Sequence, residues 1–266
     1  MLKISKINYN IRQIKMKILI TNDDGIDAPG LKVLYNIALG LTSAENILTV
    51  APAMEQSGVS HAISYHGSIT LNKLTENRWS LHGTPADCVI VGISEYKHKF
   101  DLVLSGVNRG NNAGQNTMYS GTVGATIEAS MNRIPAIALS QFFGPKLNND
   151  NLFDAAANHG LKTIENIISL NLWENNSAPV HYNVNFPPCL GNEVSGTSFT
   201  TQGYRSGAPF STETSNKILK IKGLPQQQED TGNGTDIHAN INGKISITPC
   251  SVDLTDQVTL KKLLKL

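Results

Sequence analysis

The stretch Lys17–Asp24 (KILITNDD) sets two adjacent carboxylates directly behind a short apolar run that is rich in β-forming residues. A turn with Gly25 follows, and apolar residues then recur at helical spacing over Leu31–Ala38. Strand, acidic turn and helix in this order predict the first unit of a parallel α/β sheet. The acids Asp23 and Asp24 then lie at the carboxyl end of the strand, the edge at which open α/β sheets bind their ligands.

Asp23 and Asp24 repel each other beside a buried strand unless positive charge lies between them, and a metal ion can supply that charge. The alternative is that the pair caps the following helix and interacts with the positive end of its dipole. These residues alone leave both interpretations open.

The composition is that of a globular chain with a full core, since 40% of its 266 residues are hydrophobic and 16% are charged. The 22 Lys and Arg residues balance 21 Asp and Glu residues, which argues against nucleic-acid or membrane-surface binding as the main activity. No apolar run approaches the ~20 residues of a membrane span. Cys88, Cys189 and Cys250 lie far apart without metal-binding spacing, which favours a reducing, cytoplasmic location.

Periodicity and turn residues predict the remaining elements. Further strands are expected at Asn46–Ala51, Phe100–Ser105, Pro135–Ser140, Val180–Phe186 and Lys244–Thr248. Helical segments are expected from Pro85 with Thr84 as N-cap, at Val123–Met131 with Ser120 or Thr122 as cap, and at Asp154–Leu170, Asp236–Ala239 and Asp256–Leu266. A projecting β-hairpin is expected over Ala62–Leu81, and Lys217–Ile221 could be one arm of another.

The chain is therefore interpreted as an α/β protein, a mostly parallel sheet with flanking helices, a projecting hairpin and a C-terminal extension. Residues 16–190 are assigned to the catalytic domain. Residues 191–266 are assigned to an extension that serves oligomerisation. The basic segment 1–15 is interpreted as a non-core extension upstream of a start at Met16, with a transit-like leader as the alternative.

Small oxygen donors follow three successive strands at the same predicted edge of the sheet. They are Asp23 and Asp24 after the first strand, Ser57 after the second and Asn108 after the third. Carboxylate, amide and hydroxyl oxygens suit hard cations such as Mg²⁺, Mn²⁺ or Ca²⁺. Ser57 or Asn108 taken alone is equally well an ordinary turn residue.

Glycine-rich segments near these donors predict an anion site, because successive backbone N–H groups can cradle phosphate oxygens. The run Ser120–Thr122 lies where a helix is expected to start. Turn geometry alone explains many such glycines. The candidate phosphate or substrate contacts are Asn22, Gly58, Gly106, Asn111, Ser120, Gly121 and Thr122.

Several motifs in order along the chain resemble the SurE family of survival-protein nucleotidases. They are NDDG and APG, SG at Ser57, GTPADCV at 83–89, SGVNRGNNAG at 105–114, YSGTVGAT at 119–126, and SITP with DLT near the C-terminus. The resemblance implies a Rossmann-like domain and metal-dependent hydrolysis of nucleoside monophosphates. It also implies a homodimer or homotetramer that exchanges C-terminal segments.

By position, the resemblance carries the family's metal ligands onto the same four donors, Asp23, Asp24, Ser57 and Asn108. The implied cofactor is one divalent ion per subunit, Mg²⁺ or Mn²⁺, with Ca²⁺ as a further alternative. Catalysis is assigned to Asp23 and Asp24 without choosing which accepts the proton. Cleavage of 3′-nucleotides and of polyphosphate stays open.

The chain departs from the family pattern in its second loop, where Ala53 and Met54 replace an acidic and a basic residue. The segment 207–228 also matches poorly, so base and sugar preference do not transfer. Three histidines, His61, His66 and His82, are interpreted as exposed or satisfied residues and not as catalytic acids.

Rival functions fit the residues less well. A covalent aspartyl phosphatase needs Asp-x-Asp after the first strand, whereas these acids are adjacent. A receiver domain needs a phospho-accepting Asp at the end of the third strand, whereas Asp101 lies at its start. A nicotinamide-dependent enzyme needs GxGxxG in the first turn. The non-enzymatic alternative is an interaction protein on the same scaffold.

Overall fold

The structure is a computed structural model that describes residues 16–96, 99–173, 178–206, 210–215, 218–223 and 229–265. The segment 1–15, interpreted above as an extension, lies outside these residues. The strands are β1 Ile18–Thr21, β2 Ile47–Pro52, β3 Leu71–Thr75, β4 Arg78–Leu81, β5 Leu102–Arg109, β6 Ala136–Gln141, β7 Val180–Phe186, β8 Gly196–Phe199, β9 Phe210–Ser215, β10 Ile218–Gly223 and β11 Lys244–Ser251. The helices are α1 Pro29–Leu39, α2 Pro85–Glu95, α3 Gly121–Met131, α4 Asp154–Leu170, α5 Asp236–Ile241 and α6 Gln257–Leu263.

A nine-stranded sheet of order β3-β4-β2-β1-β5-β6-β7-β11-β8 forms the centre of the molecule. The strands from β4 to β7 in that order run parallel, while β3 and β11 are antiparallel to their neighbours β4 and β7. After β1 the chain builds outward on one side, then returns to place β5 on the other side of β1. The topological switch point, where ligands of such sheets bind, therefore lies between the carboxyl ends of β1 and β5.

Two helix layers cover the sheet, one on each face. Successive side chains of β1 point alternately toward the two layers. Ile18 and Ile20 belong to the apolar cluster that contains residues of α1 and α4. Leu19 belongs to the cluster on the other face, together with Cys88 and Val89 of α2 and Ala125 of α3. Burial on both faces explains why the central strands read as uninterrupted apolar runs.

Strand β5 is longer than predicted, because part of the glycine- and asparagine-rich segment expected as a loop continues the strand to Arg109. The register with β6 shifts between Ser105 and Asn108, and pairing then resumes. Gly106, with φ of +134°, allows the irregularity, since a Cβ at this position would lie 2.2 Å from the carbonyl oxygen of Leu139.

The predicted hairpin forms over Leu71–Leu81, with its turn at Glu76 and Asn77. Both arms belong to the main sheet, with β4 beside β2 and β3 at the edge, and residues 62–70 form no strand. The predicted arm near Ile218 is also present, because β9 and β10 pair as a separate two-stranded ribbon.

The region after residue 190 contributes to the main sheet as well as to the ribbon, because β11 and β8 extend that sheet beyond β7.

The helix caps agree with the sequence. Thr84 caps α2 as expected. Ser120, one of the two predicted candidates, caps α3. Across the described residues, every helix is too short or too polar to cross a bilayer.

Candidate metal and phosphate site

The acidic turn after β1 is closed by Asn22 and Gly25. The buried Asn22 side chain donates to the Gly25 carbonyl oxygen at 2.9 Å and accepts from the Gly25 N–H at 3.2 Å. Gly25 has φ of +106°, which a residue with a Cβ adopts only with strain. Helix α1 starts after Ala28, with no side-chain cap. The alternative that the two acids cap this helix is therefore not realised.

Asp23 is a buried carboxylate, only 5% exposed, at the carboxyl end of β1. The Thr122 hydroxyl donates to its Oδ1 at 2.6 Å, and its backbone carbonyl accepts from Gln56 N–H at 2.7 Å. Burial raises the pKa of Asp23 to about 6; the Thr122 bond opposes this rise and the neighbouring charge of Asp24 adds to it. A buried carboxylate with a like charge beside it favours a cation.

Asp24 is half-buried and accepts the backbone N–H of Arg109 at 3.1 Å. Burial raises its pKa, the Arg109 contacts lower it, and the charge of Glu55 raises it. This bond joins the turn after β1 to the end of β5 across the switch point. Asp23 and Asp24 are therefore held by two different neighbouring segments.

Ser57 and Asn108 present the two neutral oxygens that the sequence predicted. The Ser57 hydroxyl donates to Glu55 Oε1 at 2.6 Å, which leaves the lone pairs of the hydroxyl oxygen for a cation. The Asn108 amide nitrogen donates to the Gly110 carbonyl at 2.9 Å, which leaves its amide oxygen as the available ligand atom.

One cleft of about 220 Å³ collects most of the predicted site residues. Its lining consists of Asp23, Ser57, Gly58, Asn108, Arg109, Asn111, Asn112, Asn116, Tyr119, Ser120 and Phe210. Three of the four predicted ligands thus face one space, and the fourth, Asp24, is tied to Arg109 at its rim.

The predicted anion site lies at the start of α3. The Ser120 hydroxyl accepts the Val123 N–H at 3.1 Å, and Thr122 is fully buried against Asp23. The eleven-residue helix directs the positive end of its dipole toward this end of the cleft.

The remaining predicted phosphate or substrate contacts divide into residues that line the cleft and residues that do not. Asn111 and Gly58 line the cleft. Gly121 is the buried first residue of α3. Gly106 is buried within β5, and the Asn22 amide is engaged within its own turn.

Residues that sequence reasoning did not single out complete the site. Arg109 is exposed at the end of β5, with its guanidinium 5.7 Å from the Phe143 ring centre. Glu55 binds Ser57 and adds a carboxylate near Asp24, two residues beyond the departure at Ala53. Arg109 and Tyr119 lie inside the motifs at 105–114 and 119–126, so the sequence offered a signal for both residues. Phe210 lies in no such motif.

The histidines are not brought into the cleft lining. The imidazole of His61 lies 2.9 Å from the Glu128 carboxylate, and His66 and His82 are exposed. Asp101, which a receiver domain would need at the other edge, accepts the backbone N–H of Lys17 at the amino end of β5.

A larger cavity of about 470 Å³ lies between α1 and the strands β2 and β4. It is mainly apolar, and Asp27 at its wall is paired with Arg78 at 2.6 Å. Because its acid is already neutralised, this cavity lacks the uncompensated carboxylates that distinguish the smaller cleft.

The donor set fits a hard divalent cation. Within the described residues, no group of three or more His, Cys, Asp or Glu side chains converges as a metal site. A cation in the cleft would therefore depend on two carboxylates completed by the hydroxyl of Ser57, the amide of Asn108 and water. Such all-oxygen shells with open positions are typical of Mg²⁺ and Mn²⁺.

Comparison with known proteins gives consistent similarities. The family model described as survival protein SurE matches residues 18–208. The chain is 47% identical to the 5′-nucleotidase SurE of Roseobacter denitrificans, over 90% of this chain and 95% of that protein. It is 46% identical to the 5′-nucleotidase SurE of Ruegeria pomeroyi, over 93% and 98% respectively. The crystal structure of the SurE protein from Aquifex aeolicus superposes with a TM-score of 0.77 at 30% identity, over 94% of this chain and 99% of the other.

Proposed function

The chain belongs to the SurE family of survival proteins, and from that premise we propose that it is a metal-dependent 5′-nucleotidase. It hydrolyses nucleoside monophosphates to nucleoside and phosphate. The single observation that carries the proposal is the buried carboxylate of Asp23, placed beside Asp24 at the switch point of the sheet with Ser57 and Asn108 in the same cleft.

The ligands proposed for one divalent ion per subunit, Mg²⁺ or Mn²⁺, are Asp23, Asp24, Ser57 and Asn108. When bound, such an ion neutralises the two carboxylates, polarises a phosphoryl oxygen and lowers the pKa of water. The arrangement of Ser57 supports this set, since its hydroxyl proton is engaged by Glu55 and the lone pairs of its oxygen stay available.

Phosphate binding is assigned to the start of α3 and to Arg109. The Ser120 side chain accepts the Val123 N–H and the Thr122 backbone bonds Asp23, so the Gly121 N–H at the start of the helix is the group proposed to bind a phosphoryl oxygen. Arg109 is the cationic side chain of the cleft lining. A guanidinium there offsets the negative charge that Asp23, Asp24 and Glu55 present to an incoming dianion.

Proton transfer is assigned to the acidic pair. The Thr122 hydroxyl engages Oδ1 of Asp23, which leaves Oδ2 to accept a proton from the attacking water. Asp24 is the alternative base, oriented by the Arg109 N–H. A general base of this kind contributes about 10²- to 10⁴-fold to the rate.

The C-terminal region, 191–266, is proposed to join subunits in a homodimer or homotetramer. Helix α6 has no buried residue, and Leu254, Val258, Leu263 and Leu264 around it are each at least half exposed. Apolar surface of this kind is typical of an interface. A cytoplasmic location is proposed on the three free thiols.

The test is phosphate release from AMP after removal of bound metal with EDTA, followed by titration with Mg²⁺, Mn²⁺ or Ca²⁺. Activity is expected to be lost with EDTA and restored by at least one ion. 3′-AMP and polyphosphate in the same panel determine the range of substrates. Failure of all three ions to restore hydrolysis in a folded protein would overturn the proposal.

A further inference from the structure

We propose that Tyr119 and Phe210 together form the surface on which the nucleobase of the substrate rests, so that the base is held by its aromatic face. This inference rests on the proposed nucleotidase function and deepens it. It assigns a base-binding site to two side chains from distant parts of the chain.

The two rings meet at the cleft that holds Asp23. Both residues belong to its lining. Their ring centres are 4.9 Å apart with an interplanar angle of 85°, an edge-to-face contact. Tyr119 is 40% exposed and Phe210 is 37% exposed, so each ring keeps surface for another aromatic group.

The size of the cleft determines which part of a nucleotide lies inside it. Clefts that enclose whole drug-sized ligands measure about 300–1,000 Å³, whereas this one measures about 220 Å³. The phosphoryl group belongs at the inner end, where Asp23 and Ser120 lie. The base must then extend to the mouth, where the half-exposed rings are.

Tyr119 is held in place by the backbone around it. Its carbonyl oxygen accepts the Ser60 N–H at 3.1 Å, and the Ser60 hydroxyl donates to the neighbouring Met118 carbonyl at 2.8 Å. The loop that carries Ser57 therefore fixes the backbone from which the ring projects. Because this backbone is already fixed, binding a base orders the side chain of Tyr119 and not the segment that carries it.

Phe210 reaches the cleft from the C-terminal ribbon, as the first residue of β9 paired with Gly223 of β10. The ribbon thereby acquires a role in substrate binding. Stacking accepts every base because each has a π-face, so this surface should discriminate weakly among bases and favour purines for their larger area.

The experiment compares AMP with ribose 5-phosphate, which shares the phosphoryl group and sugar but lacks a base. Because the two rings are nearly perpendicular, a base that lies flat on one ring meets the other edge-on, and Tyr119→Ala and Phe210→Ala each remove one of these contacts. Each variant is expected to raise KM for AMP about tenfold more than KM for ribose 5-phosphate. Tyr119→Phe, which keeps the ring, should retain the wild-type ratio. Phe210→Leu, which keeps an apolar side chain for folding, should lose it.

Phe199→Ala is the matched control, because Phe199 is 64% exposed on β8 and lies outside the cleft lining; it should change neither KM. Equal changes for both substrates in the Tyr119 and Phe210 variants, or no change, would overturn the base-binding role while AMP hydrolysis stands. A wild-type protein that releases no phosphate from AMP with any divalent ion would remove the proposed function, and this inference with it.

Discussion

Two buried carboxylates, Asp23 after β1 and Asp236 at the start of α5, occupy opposite electrostatic situations. Asp236 is fully buried and accepts the N–H groups of Gly114, Gly203 and Ile237, each at 2.8 Å. Asp23 has the like charge of Asp24 beside it.

Burial raises the pKa of both groups, so burial alone does not identify the functional one. The groups that surround each carboxylate distinguish the two. Asp236 already has backbone donors from separate segments and serves to join them, whereas the charge of Asp23 is enhanced by a neighbour that only a cation offsets.

Asp23→Asn is expected to have the largest effect. Turnover of AMP should fall about 10²- to 10⁴-fold, because the amide neither binds the cation well nor accepts a proton. The melting temperature in EDTA should be unchanged or higher, because the like charge beside Asp24 is removed. Steady-state kinetics and thermal unfolding measure the two effects. Asp27→Asn, on an exposed ion pair, is the control, and normal turnover in folded Asp23→Asn would contradict the assignment.

Asp236→Asn should give the reverse pattern, with a cost in the free energy of unfolding of about 2–3 kcal/mol. An amide would turn an N–H group toward a backbone N–H group, either that of Gly114 or that of Gly203. Urea unfolding measures the loss, and kcat of the folded variant should stay within about fivefold of wild type. Asp230→Asn, an exposed acid nearby, is the control; equal stability of both variants would refute a joining role for Asp236.

His181 extends the contrast to a buried base. Thr126 donates its hydroxyl to the Val123 carbonyl, so it accepts from His181 Nδ1–H at 3.0 Å. Burial lowers the pKa of His181 from 6.5 to about 4. Below pH 6.5 the His181 side chain is therefore protonated in the unfolded chain but stays neutral in the folded protein. Stability is lost as the pH falls toward 4.

Between pH 7 and pH 5 this loss amounts to about 2 kcal/mol, and His181→Gln should remove it. Urea unfolding at several pH values measures the difference in slope between the two proteins. Parallel pH profiles would show that His181 does not titrate in this way.

Arg109→Gln should produce the smallest effect, a rise in KM for AMP of about tenfold with a weaker dependence on salt. The side chain offsets the acids of the cleft and is held over Phe143. Arg133→Gln, an exposed arginine before β6, should leave KM unchanged. KM measured at low and high ionic strength tests this, and an unaltered salt dependence would exclude a role of Arg109 in substrate capture.

Much of the fold could be predicted from local pattern. The ranges of α4 and β7 are as expected, since their amphipathic and apolar periodicities end at turn residues or prolines. Strand β5 was predicted too short because pairing with β6 overrides the preference of a glycine- and asparagine-rich segment for turns. The predicted ligand and phosphate roles and the domain boundaries remain predictions.

Local patterns and motifs were enough to predict most of the strands and helices, the acidic turn and the family, although they did not predict β8. Each of these depends on neighbouring residues or on motifs read along the chain. Three features required the folded chain: the strand order that puts Asp24 against Arg109, the burial of Asp23, and the contact between Tyr119 and Phe210. These contacts join residues about 80 to 100 positions apart, and such pairings arise from packing the whole sheet and not from any local preference.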